Sequence, residues 1–115
     1  MEMDKYLSFH FQDLIVEPDQ VSAAIMQACR RNPAMGIQSL CQIDDQVLVI
    51  LTPGNYAAVP AELHWLDISE QPFNDLVPLL QERWQSGFSA IGTVADCLPP
   101  RKRFLLVQRP LAEMP

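Results

Sequence analysis

The chain has 115 residues, of which 49% are hydrophobic, and its 14 acidic and 8 basic residues leave a net charge of -6. That length suits one domain with a modest core, and the apolar content is that of a globular chain rather than a disordered one. The negative balance opposes polyphosphate binding, so nucleic acid is not an expected partner.

From the amino end, Met1-Glu2-Met3-Asp4-Lys5 lacks the basic-then-apolar build of a signal peptide. No apolar run approaches the ~20 residues that span a bilayer. A cytoplasmic location with no membrane partner is the expectation. Leu7, Phe9 and Phe11 alternate with Ser8, His10 and Gln12, the period-two pattern of a half-buried strand. Glu17-Pro18-Asp19 then opens a helix, with proline in the first turn and acids near the positive end of the dipole. Val21, Ala24, Ile25, Ala28 and Cys29 share one face of it, and Asn32-Pro33 with Gly36 stops it. Residues 37–43 read as a strand, Asp44-Asp45-Gln46 as a tight turn and Val47–Leu51 as a further strand.

The second half follows the same order. Leu63, Trp65 and Asp67 lie on one side of a strand, with Glu62, His64 and Leu66 on the other. Ser69 is placed to cap a helix whose apolar stripe is Phe73, Leu76, Val77, Leu80 and Trp84. Pro78 inside that stripe predicts a kink or break. Ser86-Gly87 closes the helix, residues 88–94 and 103–108 are strands, and Leu98-Pro99-Pro100 lengthens the hairpin between them. The segment after Pro110 is expected to be loose.

Residue matches support an internal repeat. An offset of 54 carries His10 to His64 and Pro18 to Pro72; an offset of 51 carries Gly36-Ile37 to Gly87-Phe88; an offset of 57 carries Val47–Ile50 to Phe104–Val107. Two βαββ units, at about 6–53 and 61–110, would build a single domain over 1–115. The predicted fold is an α+β two-layer sandwich: one six-stranded, mostly antiparallel sheet with both helices on one face. Val47–Leu51 and Phe104–Val107 are apolar on both sides, which belongs to sheet centres covered on both faces. Two helices on one face leave the other to be covered by something else.

At Trp84-Gln85-Ser86-Gly87-Phe88-Ser89-Ala90-Ile91-Gly92 and Phe104-Leu105-Leu106-Val107-Gln108-Arg109-Pro110 the chain resembles small bacterial βαββ domains of unknown function. In those a helix ends in Gly-aromatic, usually Gly-Trp, and the last strand closes on Lys/Arg-Arg-Pro. Gly87-Phe88 and Gln108-Arg109-Pro110 stand at those places, over residues 61–111; the first half joins only through the repeat, because Thr52-Pro53 lacks the arginine. The resemblance implies a fold and no activity. Dodecins, which store flavin, share the strand–helix–strand–strand order without a sequence match.

Chemistry is sparse. His10 and His64 are the only histidines, and alternation sets both away from the helices with Ser8, Gln12 and Glu62 beside them, while Arg109 projects from the last strand. These six residues form the candidate binding set, for a small ligand or an anion. Two histidines with a single nearby acid fall short of a metal ligand set, so neither metal nor cofactor is expected. No matched acid and base, G-x-S-x-G, phosphate loop or dinucleotide glycine pattern marks an enzyme. The three cysteines contain no C-x-x-C: Cys29 and Cys41 read as small buried hydrophobes and Cys97 as the exposed thiol. Trp65 and Trp84 read as helix–sheet core. The arginines at 30–31 and the basic run 101–103 read as helix-end and hairpin charges. The expected function is a non-enzymatic binding or assembly module, homodimeric through its sheet face. The alternative is a ligand binder or enzyme using the open face around His10 and His64.

Overall fold

The computed structural model describes residues 5–99 and 101–111; Met1–Asp4, Pro100 of the hairpin and the residues after Leu111 lie outside them. Strand β1 (Tyr6–His10) leads into a short helix α1 (Phe11–Val16), then helix α2 (Pro18–Cys29), β2 (Met35–Ile43), β3 (Gln46–Pro53), β4 (Pro60–Asp67), helix α3 (Phe73–Gln85), β5 (Ser89–Ala95) and β6 (Arg103–Pro110). The class is α+β; the second half runs β-α-β-β, and the first keeps that order with its helical segment divided into α1 and α2. Instead of one six-stranded sheet there are two antiparallel three-stranded ones, ordered β1-β3-β2 and β4-β6-β5.

The sheets meet where β2 faces β5, but side chains rather than a ladder join them. The Gln42 amide accepts from Ala95 N–H at 2.9 Å and donates to the Ala95 carbonyl. Both strands carry an irregularity there, between Ile37 and Ser39 and between Ala90 and Gly92. Such bulges bend and twist a strand away from its neighbour. Gly92 lies under Leu40, close enough that a Cβ would sit 3.4 Å from Leu40 Cδ1.

Residue pairs also displace the registration that the sequence matches suggest. Ile37 pairs with Leu51 and Ala90 with Val107, so aligning the two irregularities sets Val49 on Leu105. Leu7, paired with Val49, then matches Leu66, and His10 matches Ser69 rather than His64. On β4 and β6 the difference is an odd number of residues, so it turns the side chains of those two strands to the other face. Leu63 and Trp65 consequently point away from α3, into the first half.

The main core therefore draws on both halves. Phe11, Leu14, Val21, Ile25 and Cys29 of the first two helices pack with Val47, Val49 and Leu51 of β3 and with Leu63, Val94, Phe104 and Leu106 of the second sheet. Phe9 meets Trp65 edge-on at 5.9 Å between ring centroids, and Phe11 meets Phe104 at 5.7 Å. A second, smaller cluster joins Leu105, Val107, Leu66, Ile68 and Phe88 to Leu76 and Leu80 of α3. The helices are thus on opposite faces: α2 fills the wedge between the sheets and α3 lies outside the second. β6 is covered on both sides from within the chain.

The stretch 11–16 is helical rather than a continuation of β1, because Phe11 and Leu14, three residues apart, both reach the core. Asp13 secures its start by accepting from His10 N–H at 3.2 Å. Pro72, not Ser69, precedes the first turn of α3, and that helix continues through Pro78. Gly87 takes φ 90° just after α3, the left-handed conformation that ends many helices. Gly36 serves differently: a Cβ there would lie 2.3 Å from the Ala57 carbonyl oxygen.

Candidate functional site

Among the six residues singled out from sequence, three come together. On β4, Glu62 and His64 share the face that looks towards α3, and Glu62 pairs across to Arg109 on β6. The Arg109 guanidinium donates to Glu62 Oε1, and Glu62 Oε2 lies 3.2 Å from His64 Nε2. The Phe88 ring stacks obliquely on His64, 5.4 Å between centroids, and the Arg109 methylenes run beside Gly87. Arg109 first, and then His64, holds the Glu62 carboxyl below the usual carboxylate range by hydrogen bonding to its charged form.

This constellation is an open, self-satisfied ion pair, with 41% of the Glu62 and 51% of the His64 side chain accessible. A carboxylate already bonded to a guanidinium and an imidazole is a weak base, and the adjacent Arg109 charge repels a metal cation. Among the described residues no group of three or more His, Cys, Asp or Glu side chains could hold a metal. What the arrangement can do is present one edge of an imidazole and part of a guanidinium to a carboxylate or another anion.

The other three residues lie elsewhere. Ser8 and His10 are on β1, in the first sheet; Gln12 is on α1, not on a strand. Gln46 and Asp45 are the neighbours of His10, whose Nδ1 is 2.9 Å from Gln46 Nε2 and 4.0 Å from Asp45 Oδ2. The two histidines therefore do not form a paired site, and only His10 faces away from the helices. Alternation alone left the face undetermined, because β4 is apolar on both sides.

One feature was not anticipated. A second polar cluster surrounds the turn after β4. Ser69 donates from its N–H to Asp67 Oδ1 at 2.9 Å, Lys102 Nζ lies 3.4 Å from Asp67 Oδ2, and Arg103 N–H donates to Ser69 Oγ at 2.9 Å. The Ser69 hydroxyl and N–H, with Lys102 beside them, lower the Asp67 pKa. The Arg103 guanidinium donates to the carbonyls of Ile68, Ser69 and Gln71. Arg30 likewise donates to the Ala61 carbonyl at 3.0 Å, tying the end of α2 to β4. Both basic clusters therefore take part in internal hydrogen bonding.

The uncovered apolar face that the strand pattern predicts falls on the outer side of the first sheet. Pairing puts Tyr6, Ser8, His10, Cys41, Ile43, Leu48 and Ile50 on the side opposite α2. Ile43 is 64% accessible, Tyr6 and Cys41 are exposed, and Leu48 and Ile50 are half-buried. Cys41 is thus not the buried hydrophobe its strand position suggested, whereas Cys29 is, and burial pushes its thiol up to about 11. Cys97 is exposed, as expected. No helix is long and apolar enough to cross a membrane among the described residues. Compared with protein-family models, curated proteins and solved structures, the chain has no match.

Proposed function

We propose that the chain is a non-enzymatic assembly module that self-associates through the outer face of its first sheet. The observation that carries this reading is that β3 presents Leu48 and Ile50, flanked by Tyr6 and Ile43, on a side that no helix among the described residues covers. An apolar sheet face of this kind marks an interaction surface more often than a solvated one. A twofold contact between two such faces is self-complementary and closes at a dimer.

Sedimentation equilibrium at tens of micromolar tests it. Association that Ile43→Asp with Ile50→Asp weakens, at unchanged circular dichroism, supports the reading; a strictly monomeric wild type refutes it. The alternative, a small-ligand site, now rests on Glu62, His64 and Arg109 alone. A thermal-shift screen of carboxylates and phosphates against the wild type and Arg109→Gln addresses it, and a screen without response counts against it.

A further inference from the structure

We infer that β1 is a second self-association seam, at which two copies join edge to edge and extend the first sheet across a twofold axis. The inference rests on the reading that the chain self-associates, but it uses different residues from the face contact.

The four sheet edges are treated differently. β2 and β5 face each other and are bridged by the Gln42 amide. β4 has α2 packed against it and Arg30 on its Ala61 carbonyl. β1 alone is left without such cover among the described residues. Its backbone polarity follows from the bonds at its two ends: Leu51 N–H donates to Lys5 O at 2.8 Å and Phe11 N–H to Asp45 O at 2.7 Å. Odd-numbered residues therefore turn their backbone groups to β3, and Tyr6, Ser8 and His10 turn theirs outward. The His10 N–H is taken by Asp13. The N–H and C=O of Ser8 and Tyr6 are an open template of the kind that other strands pair with.

Beside this edge runs a groove of about 320 Å³ between β1 and the helices, floored by Leu7, Phe9, Val21 and Ile25, with Asp13 and Glu17 on its rim. Neither carboxylate has an ion-pair partner among the described residues. An added strand must then offer apolar side chains at alternate positions and a cation at one end. β1 itself has this make-up: Leu7 and Phe9 point to the groove side, and Lys5, just before the strand, has its ammonium 5.9 Å from the neighbouring Tyr6 ring and no described carboxylate partner.

An antiparallel β1–β1 pair centred on Ser8 satisfies both demands at once. Ser8 faces Ser8 of the other copy with two reciprocal N–H to C=O bonds, Leu7 faces Phe9, and Tyr6 faces His10. Lys5 is then carried to the end of the opposing strand where α1 begins, towards Asp13 and Glu17. Twofold symmetry repeats every contact, so one complementary charge pattern serves both ends.

Amide hydrogen exchange and sedimentation on the full chain test this together. The seam predicts that the Ser8 amide, exposed in the single copy, gains protection at least tenfold as concentration rises, and that Ser8→Pro removes the corresponding association without lowering the folded content. Lys5→Glu and Glu17→Lys should each weaken association severalfold, and an equimolar mixture of the two should restore it, because each heterologous pairing is again opposite in charge. A Ser8 amide that exchanges freely at every concentration overturns the seam whatever the mass. Dimerisation that ignores Ser8→Pro and both reversals overturns it while leaving the face contact standing; a protected Ser8 amide with no loss in the Ile43/Ile50 variant supports the seam and sinks the face contact. Protection of Ser8 that does not change on dilution would also refute it.

Discussion

At the scale of single residues, exposure separates side chains that composition treats alike. Trp84 sits at a core position of the helical stripe, yet 69% of it is accessible and it lies outside both apolar clusters. The truncation cost expected of a buried tryptophan, about 3 kcal/mol or more, does not apply to it. Trp84→Ala should change stability by less than about 1 kcal/mol in urea denaturation. Leu106 is fully buried between the sheets, and Leu106→Ala should cost about 2–5 kcal/mol in the same measurement. Asp67 supplies a pH dependence. Its folded pKa lies below the ordinary value, so its contribution is complete above the unfolded carboxylate pKa of about 4 and is lost as pH falls through the folded value. The wild type should lose stability in that acidic window, while Asp67→Asn should already be weakened at neutral pH and show a flatter profile; identical profiles would remove Asp67 from the turn's support.

Among the elements, α3 differs from α2 although both were expected to cover a sheet face. α2 has Val21, Ile25 and Cys29 buried between the two sheets, whereas no residue of α3 is fully buried and only Leu76 and Leu80 pack inward. Phe73, Val77 and Trp84 stay on its surface. The difference arises because the second sheet turns its other face, with Leu63, Trp65, Phe104 and Leu106, to the helices of the first half. α3 should therefore open locally at lower free energy than α2. Native-state hydrogen exchange should show α3 amides less protected than α2 amides; equal protection would contradict the peripheral placement. The strands β3 and β6 do sit at sheet centres, as residues apolar on both faces require, but among the described residues only β6 is covered on both sides.

For the whole molecule, the shared cluster means that neither half closes its own core. Residues 1–55 would expose Val47, Val49, Phe11 and Leu14, whose cover includes Leu63, Val94, Phe104 and Leu106 from the second half. A unit of ~50 residues with this surface uncovered cannot offset its chain entropy. Expressed alone, it should be unfolded or aggregated by circular dichroism and gel filtration; a cooperatively melting monomeric half would show that each unit folds by itself.

The strand alternation at Leu7–His10, the helix from Pro18, the Asp44-Asp45 turn, the glycine after α3 and the α+β class with its two βαββ orders follow from short-range chemistry, and all were legible in the residues. Local pattern also located Glu62, His64 and Arg109 as polar positions on strands. Pattern could not decide which face of β4 turns to α3, since Leu63, Trp65 and Leu66 are apolar on both of its sides, nor that Phe11 leaves the strand. Those choices depend on contacts between residues distant along the chain: the bulges at β2 and β5, the Phe9–Trp65 and Phe11–Phe104 contacts, and the wedge that α2 fills. Side-chain period specifies alternation, and only packing between the halves selects the register, because a shift of one residue along the chain is cheap locally and reverses every face globally.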